Sequence, residues 1–401
     1  MTSNPSQPWD AGEETLVPLG RDFADLRDSV RSICQKFPAS YWRGLEDRKA
    51  YPEAFVEEFT KSGYTAALIP EEYGGSGLSL RAASVIVEEI NSTGCCAASF
   101  HGQMYIMGTL LRHGSAEQKQ KYLPRIATGE LRLQAFAVSE PTTGTDTTQL
   151  KTRATRKGDK YIVNGQKVWI SRALHSDLML LLARTKPLDQ VSKKTDGISV
   201  FLVDVDEAKR NGMDVRPLDA MINHQTNEIF FNDVPIPAEN LVGEENKGFQ
   251  YILDGMNAER VLVAAEAVGD ARFFIDKASA YAKERIVFNR PIGQNQGVQF
   301  PIARAYAEMR AADAMVRNAA ALFDHGRPCG EEANIAKLLA SEACWRAAEA
   351  ALQTHGGFGY AREYDVERKW REARLFQIAP ISTNLILSYL GQHVLGMPRS
   401  F

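Results

Sequence analysis

The sequence predicts an α+β protein in which a helical region, a β region and a second helical region follow one another. In the first and last parts of the 401 residues, apolar side chains recur at intervals of three and four; short β-rich runs separated by polar turns fill the middle. We therefore expect an N-terminal tail (1–21), an α-helical domain (22–130), a β-barrel or sandwich (131–243) and a four-helix bundle (244–401).

The first region contains several amphipathic helices. In "FADLRDSVRSICQKF" the apolar residues Phe23, Leu26, Val30 and Ile33 share one helical face. "PEAFVEEFTKSGY" repeats this pattern and ends at a glycine, as helices often do. "SLRAASVIVEEINSTG" begins with Ser79, a residue type that caps helix N-termini. These stretches predict a helical domain.

The middle region reads as short strands. "DKYIVNGQKVWIS" has two β-rich runs on either side of Asn164-Gly165, a dipeptide that is typical of two-residue hairpin turns, so we expect a hairpin there. "DLMLLLART", "GISVFLVDV" and "NEIFFNDVPIP" are further strands between polar turns. Together they indicate a small barrel or sandwich.

The last region is helical over longer stretches. "GFQYILDGMNAERVLVAAEAVGDARFFIDKASAYAKER" keeps helical periodicity throughout. Three more apolar helical patterns follow, at 298–323, 332–355 and 383–394. Four successive helices predict a bundle.

Composition excludes several classes of protein. A net charge of −3 gives no basic field for nucleic acid, and no apolar run approaches the ~20 residues of a membrane span. The five cysteines show no CxxC spacing, which favours free thiols in a reducing compartment. We expect a cytoplasmic globular protein.

The densest chemical signal is the loop in "AFAVSEPTTGTD" (135–146), where hydroxyls and backbone N–H groups can bind an electron-rich carbonyl or a phosphate. Further on, "KVWIS" places Trp169 and Ser171 on one face of a strand. An aromatic plane beside a hydroxyl can flank a planar ring cofactor, but a tryptophan packed in the core gives the same pattern. Spacing alone leaves both interpretations open.

Three stretches together resemble the acyl-CoA dehydrogenase family: "AFAVSEPTTGTD…YIVNGQKVWIS", "ERIVFNRPIGQNQGVQF" and "LQTHGGFGYAREYDVERKWREARLFQI". The resemblance extends from about residue 22 over nearly the whole chain, and the domain order matches as well. It implies non-covalently bound FAD with the flavin ring between the β domain and the bundle, and an acyl-CoA substrate. It also implies an electron-transferring flavoprotein as partner and a homotetramer built as a dimer of dimers.

The resemblance assigns site residues position by position. It places the flavin ring and its linker against Phe136, Val138, Ser139, Trp169, Ser171, Ser382 and Asn384, and it places Thr145 near both the cofactor and the thioester end of CoA. A neighbouring subunit completes the dinucleotide site in such tetramers, here through Arg285, Phe288, Gln296, Gln353, Gly356 and Gly357. Arg285 can pair with a pyrophosphate, and the two glycines allow close backbone approach.

The catalytic base is missing from its commonest place in the family. The stretch "FQIAPISTN" carries Pro380 where that form has a glutamate. However, Glu259 lies within an apolar helical stripe with Gly255, Met256 and Val263, so it should face the interior and be a good proton acceptor. An ion pair with Arg260 or another cation is the alternative, although adjacent helix residues do not face each other.

The resemblance favours Glu259 as the base, because the isovaleryl-CoA and long-chain branches have their catalytic glutamate immediately before this arginine. It implies that Glu259 takes the α-proton while the β-hydride passes to flavin N5, which gives a trans-2-enoyl-CoA. Met256, Arg260 and Ala379 would contact substrate near the reacting carbons. "SFHGQMYIMG" would close the far end of the acyl pocket with Phe100 and Met104, and we assign His101 no catalytic role.

Three other functions remain possible on the same fold. A flavin-dependent monooxygenase or nitroalkane oxidase would also lack the usual glutamate, although the retained Thr145 loop argues against it. An enoyl-CoA reductase would run the same reaction in reverse. A nucleic-acid-binding or regulatory member would be expected to carry a basic C-terminal region, and this sequence stops at "HVLGMPRSF" without one.

Overall fold

A computed structural model describes residues 20–399, so most of the predicted tail (1–21) lies outside the described residues. The first region is helical, as expected. Its helices are α1 (Ala24–Cys34), α2 (Ala39–Arg48), α3 (Glu53–Lys61), α4 (Leu80–Ser92), α5 (His101–His113) and α6 (Ala116–Ala127). The Ser79 side chain accepts a hydrogen bond from the Ala82 N–H, which confirms the predicted cap of α4. The chain leaves α3 through Gly63 at φ +76°.

The middle region forms one sheet. Its strands are β1 (Leu133–Ala137), β2 (Arg153–Lys157), β3 (Lys160–Ser171), β4 (Leu178–Arg184), β5 (Ile198–Asp204), β6 (Met213–Pro217), β7 (Thr226–Pro237) and β8 (Leu241–Val242), with the short helix α7 (Val205–Arg210) between β5 and β6. The strand order is β6-β7-β3-β2-β4-β5-β8, and β1 pairs parallel to β4. Every residue of β4 is buried, because helices cover one face and the domain's own core covers the other.

The prediction of a hairpin at Asn164-Gly165 is wrong. Strand β3 runs through both residues, and the turn lies at Gly158-Asp159, between the paired residues Lys157 and Lys160. Gly165 is required for another reason: it has φ +150°, and an added Cβ would lie 2.5 Å from the Thr152 Oγ1 atom. The glycine therefore marks a close approach beside a bulge, not a chain reversal.

The last region contains three long helices, α8 (Gly248–Glu284), α9 (Gln296–Asp324) and α10 (Gly330–His355), with the two-stranded ribbon β9 (Ile286–Val287) and β10 (Arg290–Pro291) between α8 and α9. Two shorter helices follow, α11 (Val366–Leu375) and α12 (Thr383–Tyr389). Helix α11 was not predicted from the sequence. The final helix is also shorter than predicted, because α12 passes into a π-helical turn over 390–394.

The three regions meet around α5 and α8. One apolar core joins α1, α3 and α4 to α8, α9 and α10. A second joins α5 and α6 to β1, β4, β5 and Ile252 of α8. No helix among residues 20–399 is both long and apolar enough to cross a membrane.

Candidate active site

Glu259 faces the interior at the point where α5 and α10 approach α8. Only 5% of its surface is exposed. The Tyr105 side chain on α5 favours the ionised form of its carboxylate. Among the described residues no cation lies within ion-pair distance of Glu259, and the guanidinium of Arg260 donates instead to the Asn257 side chain at 2.9 Å. The ion-pair alternative is therefore not supported, and Glu259 is available as a proton acceptor.

The surroundings of Glu259 tune it for proton transfer near neutral pH. Burial raises the pKa of Glu259 from its ordinary value of 4.5 to about 7, while Arg260, the Tyr105 hydroxyl and Lys337 oppose this rise. A carboxylate with a pKa near 7 combines useful basicity with substantial ionisation at neutral pH. This is the behaviour expected of a general base.

Lys337 on α10 organises the segment that contains Pro380. Its side chain is 1% exposed, and its Nζ atom donates to the carbonyls of Phe376 and Ile381, each at 2.5 Å. The two carbonyls flank the turn at 377–380, so Lys337 fixes both ends of this turn. Burial lowers the pKa of Lys337 to about 8, and Glu259 opposes this change.

The β domain supplies a second wall through β1 and the loop after it. Phe136, Val138 and Tyr105 pack against the same apolar core as Ile252 of α8. The Ser139 carbonyl accepts from the backbone N–H of Val168, which joins this segment to β3. Phe136 and Val138 thus lie on the face of the β domain that packs against α8, and their contact with a flavin stays a prediction.

Glu140 anchors the hydroxyl-rich loop and was not predicted. It is buried, pairs with the Lys167 Nζ atom at 2.9 Å, and accepts from the backbone N–H groups of Lys151 and Thr152. Thr145 and Gly144 remain exposed beyond this anchor, and a Cβ at Gly144 would meet no atom within 4 Å. The tip of the loop is therefore open to a ligand while its base is fixed.

Trp169 is not a core residue. It is 65% exposed and adopts φ +64°, next to the bulge in β3. Positive φ is unfavourable for a bulky side chain, and such strain is concentrated at functional sites. Ser171 is half-buried two residues further on. Of the two interpretations that the spacing left open, the buried tryptophan is excluded.

The residues that resemblance assigns to a neighbouring subunit form an exposed patch away from Glu259. Arg285 and Phe288 follow the end of α8, and Phe288 is 93% exposed. The Arg285 guanidinium lies 5.7 Å from the centre of the Phe358 ring. Gln296 begins α9, and Gln353, Gly356 and Gly357 are exposed at the end of α10. A Cβ at either glycine would meet no atom within 4 Å.

The predicted substrate contacts divide into two groups. Met256 and Arg260 are half-buried near Glu259, and Ala379 is half-buried in the turn held by Lys337. Phe100 and Met104 have almost no exposed surface, and the Phe100 ring stacks on Phe59 inside the helical core. Phe100 is therefore the least supported of these contacts. The substrate contacts assigned to Phe100 and Met104 stay predictions.

His101 is a buried histidine with a hydrogen-bond partner, and no catalytic role was assigned to it. Its Nδ1 atom hydrogen-bonds to Glu266 on α8, and His101 lies one turn before Tyr105 on α5.

In the turn before α12, the Ser382 hydroxyl accepts from the Leu385 N–H at 3.3 Å and caps the helix, while Asn384 is exposed. Their assignment to the flavin and its linker is untested.

A helical domain, a sheet domain and a helical bundle that enclose a buried carboxylate define a class of flavin-linked oxidoreductases. Family models described as acyl-CoA dehydrogenase N-terminal, middle and C-terminal domains match residues 21–130, 135–234 and 246–393. The chain belongs to the acyl-CoA dehydrogenase family, whose members are oxidoreductases that act on acyl-CoA. The exact domain boundaries that we predicted, at 130/131 and 243/244, stay predictions.

Individual relatives cover nearly the whole chain. Acyl-CoA dehydrogenase FadE12 of Mycobacterium tuberculosis is 34% identical over 383 residues, which are 94% of this chain and 96% of that protein. A 3-(aryl)acrylate reductase of Clostridium sporogenes is 35% identical over 370 residues, 91% and 93% of the two chains. The solved butyryl-CoA dehydrogenase of Megasphaera elsdenii superposes with a TM-score of 0.87 at 30% identity, covering 94% of this chain and 99% of that one.

The raised pKa of Glu259 predicts a pH-dependent effect on stability. Below pH 4.5 the carboxyl is protonated in both folded and unfolded chains, so its burial costs nothing through ionisation. Between pH 4.5 and about 7 the unfolded chain ionises first, and the folded state loses stability. We expect Glu259→Gln to leave the unfolding midpoint unchanged near pH 4.5 and to raise it at pH 8. The free energy of unfolding at pH 8 should rise by at most about 3 kcal/mol. A midpoint difference that is independent of pH would contradict this assignment.

Proposed function

We propose that this chain is an FAD-dependent acyl-CoA dehydrogenase in which Glu259 removes the α-proton of the acyl thioester. The observation that carries the proposal is a buried carboxylate that has no ion-pair partner among residues 20–399, in a chain whose alternative base position is Pro380. The absence of a carboxylate at position 380 and the presence of one at position 259 compensate for each other, which favours an active enzyme.

The remaining residues would bind and orient the substrate around this base. Arg260, Met256 and Ala379 would border the reacting carbons, and the turn at 377–380, held by Lys337, would close the pocket beside them. Hydrogen-bond donors at the thioester carbonyl would stabilise the enolate character that develops as the α-proton leaves. The burial of Glu259 would limit competition from solvent.

FAD fits the residues that are present. Exposed Trp169 offers a ring face, and Ser171, Ser139 and Thr145 offer hydroxyls. Arg285 offers a guanidinium to a pyrophosphate, and Gly356 and Gly357 leave room for close backbone approach. When bound, FAD supplies the hydride acceptor. Because the Arg285 patch lies apart from the site, the proposal includes a homotetramer in which a neighbouring copy completes the cofactor site.

The proposed role of Arg285 predicts weaker cofactor binding on its removal. Arg285→Ala should raise the dissociation constant for FAD by about 10- to 100-fold, because a charge-assisted hydrogen bond contributes about 1.5–3 kcal/mol. The change should hardly affect the thermal midpoint of the apoprotein, since Arg285 is exposed. Fluorescence titration of apoprotein with FAD measures the constant, and Arg153→Ala, an exposed arginine of β2, is the control. Equal affinity in the two variants would remove Arg285 from the site.

A second candidate function is the reverse reaction, reduction of an enoyl-CoA. Two relatives carry reductase names, the 3-(aryl)acrylate reductase and a caffeyl-CoA reductase subunit of Acetobacterium woodii. The same base would then return its proton to the α-carbon. The direction depends on the electron partner, for which we propose an electron-transferring flavoprotein. A cytoplasmic location also remains a prediction.

Anaerobic mixing of the purified holoenzyme with straight, branched and aryl-substituted acyl-CoAs tests the function. Flavin bleaching by one class of thioester would support dehydrogenation and identify the acyl group. Bleaching by none of them, combined with reoxidation by the matching enoyl-CoAs of the chemically reduced enzyme, would favour the reductase. If neither occurs and oxygen reoxidises the reduced enzyme rapidly, the proposal fails and the oxygen-using alternative replaces it.

A further inference from the structure

Arg172 is a buried cation that the rest of the described chain does not neutralise. It directly follows Ser171 at the end of β3, and only 4% of its surface is exposed. Among residues 20–399 its guanidinium makes no hydrogen bond and no ion pair, and its Nε atom is shielded from solvent. An arginine cannot lose its charge as a buried lysine or histidine can, so its burial is unfavourable until an anion is supplied.

A second buried arginine of the β domain shows how such a side chain is satisfied. Arg184 of β4 is 6% exposed, and its guanidinium donates to four backbone carbonyls, those of Thr148, Leu150, Lys194 and Asp196. It therefore holds together the segments that lead into β2 and β5. Arg172 has no such acceptors within the described residues, so a structural role of this kind does not account for its charge.

The backbone of Arg172 is fixed in a conformation that a residue with a side chain rarely adopts. Its φ is +59°, and its N–H donates to the Gln225 carbonyl at 2.8 Å. Its own carbonyl accepts from the His175 N–H at 3.0 Å and from the Ser176 hydroxyl at 2.9 Å. Strain of this kind is concentrated at functional sites.

The guanidinium of Arg172 lines a cavity of about 40 Å³ between α2, α11 and the loop at 218–225. This volume has room for roughly three water-sized groups. Trp42, Leu45 and Ile222 supply apolar wall. A Cβ at Gly102 of α5 would lie 3.5 Å from the Arg172 Nη2 atom, so the guanidinium packs against α5 on its other side.

The two carboxylates in the wall of the cavity are already paired with other cations. Arg371 donates to both oxygens of Glu46, each at 2.9 Å. Arg368 and Lys369 each donate to one oxygen of Glu372, at 3.0 and 2.7 Å. Neither carboxylate is left to neutralise the unpaired guanidinium, so the cavity keeps an excess of positive charge.

A carboxylate matches this cavity in shape and charge. The planar guanidinium can donate two parallel N–H groups to the two carboxylate oxygens, and the space beside it accommodates one such planar group. His224 also lines the cavity. Burial and the nearby Arg172 lower the pKa of His224 to about 3, so its ring is neutral at pH 7 and adds no second charge.

We propose that Arg172 and the cavity beside it form a binding site for a carboxylate. Two sources supply this chemistry, a small free carboxylate or the far end of an acyl chain whose thioester lies at Glu259. The second source is favoured by the packing, because Gly102 beside Arg172 follows His101, which hydrogen-bonds to Glu266, two turns beyond Glu259 on α8. In that case the site rests on the proposed function and narrows its substrates to acyl groups that end in a carboxylate.

Thermal unfolding of the holoenzyme tests the site without turnover, since a ligand that binds only the folded state raises the midpoint. Sodium acetate and sodium glutarate, compared with sodium chloride at equal ionic strength, should raise the midpoint of wild type and leave that of Arg172→Met unchanged. Without ligand, Arg172→Met should unfold at or above the wild-type temperature, because it removes an unpaired buried charge. The matched variant Arg184→Met should unfold at a lower temperature, because it leaves four carbonyls without a donor.

Pairs of acyl-CoAs of equal length distinguish the two sources. Glutaryl-, adipyl- and pimelyl-CoA end in a carboxylate, whereas pentanoyl-, hexanoyl- and heptanoyl-CoA end in a methyl group. If the acyl chain supplies the carboxylate, the dissociation constant in wild type should be about 10- to 100-fold lower for the carboxylate member of at least one pair. The concentration dependence of the midpoint gives these constants, and the preference should disappear in Arg172→Met. Effects of acetate and glutarate that depend on Arg172, without a preference in any pair, would identify a free carboxylate.

The proposal is overturned if no carboxylate, free or attached to CoA, acts through Arg172. A midpoint that falls in Arg172→Met as far as in Arg184→Met, with unchanged ligand binding, would also overturn it, since that pattern indicates a structural role. If Arg172→Met fails to fold, Arg172→Lys decides. It keeps the charge but lacks the paired donors, so carboxylates should raise its midpoint less than that of wild type, and equal responses would contradict the site.

Failure of this site and failure of the proposed function give different results. A carboxylate-ended thioester that binds through Arg172 but bleaches no flavin would support the site and refute the proposed reaction. Bleaching by methyl-ended thioesters, with no effect of any carboxylate that depends on Arg172, would refute the site and leave the reaction standing.

Discussion

Replacement of Glu259 by glutamine should slow anaerobic flavin reduction by an acyl-CoA by about 10²- to 10⁴-fold, the usual contribution of a general base. Glutamine has nearly the same shape, but its amide cannot accept the α-proton. FAD content and the absorbance of the oxidised flavin should remain those of wild type. Stopped-flow absorbance measures the rate at saturating substrate.

Asp276→Asn is the matched control, because it makes the same change of charge at an exposed position of the same helix. It should reduce its flavin at the wild-type rate. If Glu259→Gln also kept the wild-type rate, Glu259 would be structural and the base would have to be sought elsewhere. Loss of FAD from the glutamine variant would instead show that Glu259 supports the cofactor site.

The second large effect concerns stability. Lys369 of α11 is fully buried, and its Nζ atom contacts Asp270 of α8 and Glu372, each at 2.7 Å. Burial alone would lower the pKa of Lys369, but the two carboxylates raise it. Lys369→Met would leave Asp270 buried without its cation, whereas Glu372 would keep its ion pair with Arg368 at 3.0 Å. We expect the free energy of unfolding to fall by about 3–5 kcal/mol.

Chemical denaturation followed by tryptophan fluorescence measures this loss. The double variant Lys369→Met/Asp270→Leu should recover a substantial part of it, because an apolar pair can replace a buried ion pair at little cost. Lys61→Met removes a lysine whose ion pairs are exposed and should leave the midpoint unchanged. Equal midpoints for Lys369→Met and Lys61→Met would show that the buried network contributes nothing to stability.

Much of the fold could be predicted from the sequence, because helical periodicity and capping residues are local patterns. Helix α8 and the cap at Ser79 follow from periodicity and from one residue type. The inward orientation of Glu259 follows from its apolar neighbours on the same helix. The hairpin prediction failed because glycine at 165 permits a close approach to Thr152, just before β2, which the local pattern of β3 does not contain.

The side chains that influence the pKa of Glu259 could not be predicted for the same reason. Tyr105 and Lys337 lie in apolar helical stretches, where each looks like an amphipathic or boundary residue. Lys337 did carry one signal, a lysine within the apolar face of α10, but its acceptors are carbonyls some 40 residues away. Long-range polar contacts of this kind depend on how helices pack, and a single sequence does not show that.

Exchange of the α-proton tests the central claim most directly. The holoenzyme is incubated in D₂O with a 3-thiaacyl-CoA, whose sulfur replaces the β-carbon and so prevents hydride loss, and mass spectrometry follows deuterium at the α-carbon. We expect rapid exchange with wild type and with Asp276→Asn, and almost none with Glu259→Gln. Exchange by Glu259→Gln at the wild-type rate would contradict the assignment of Glu259 as the base.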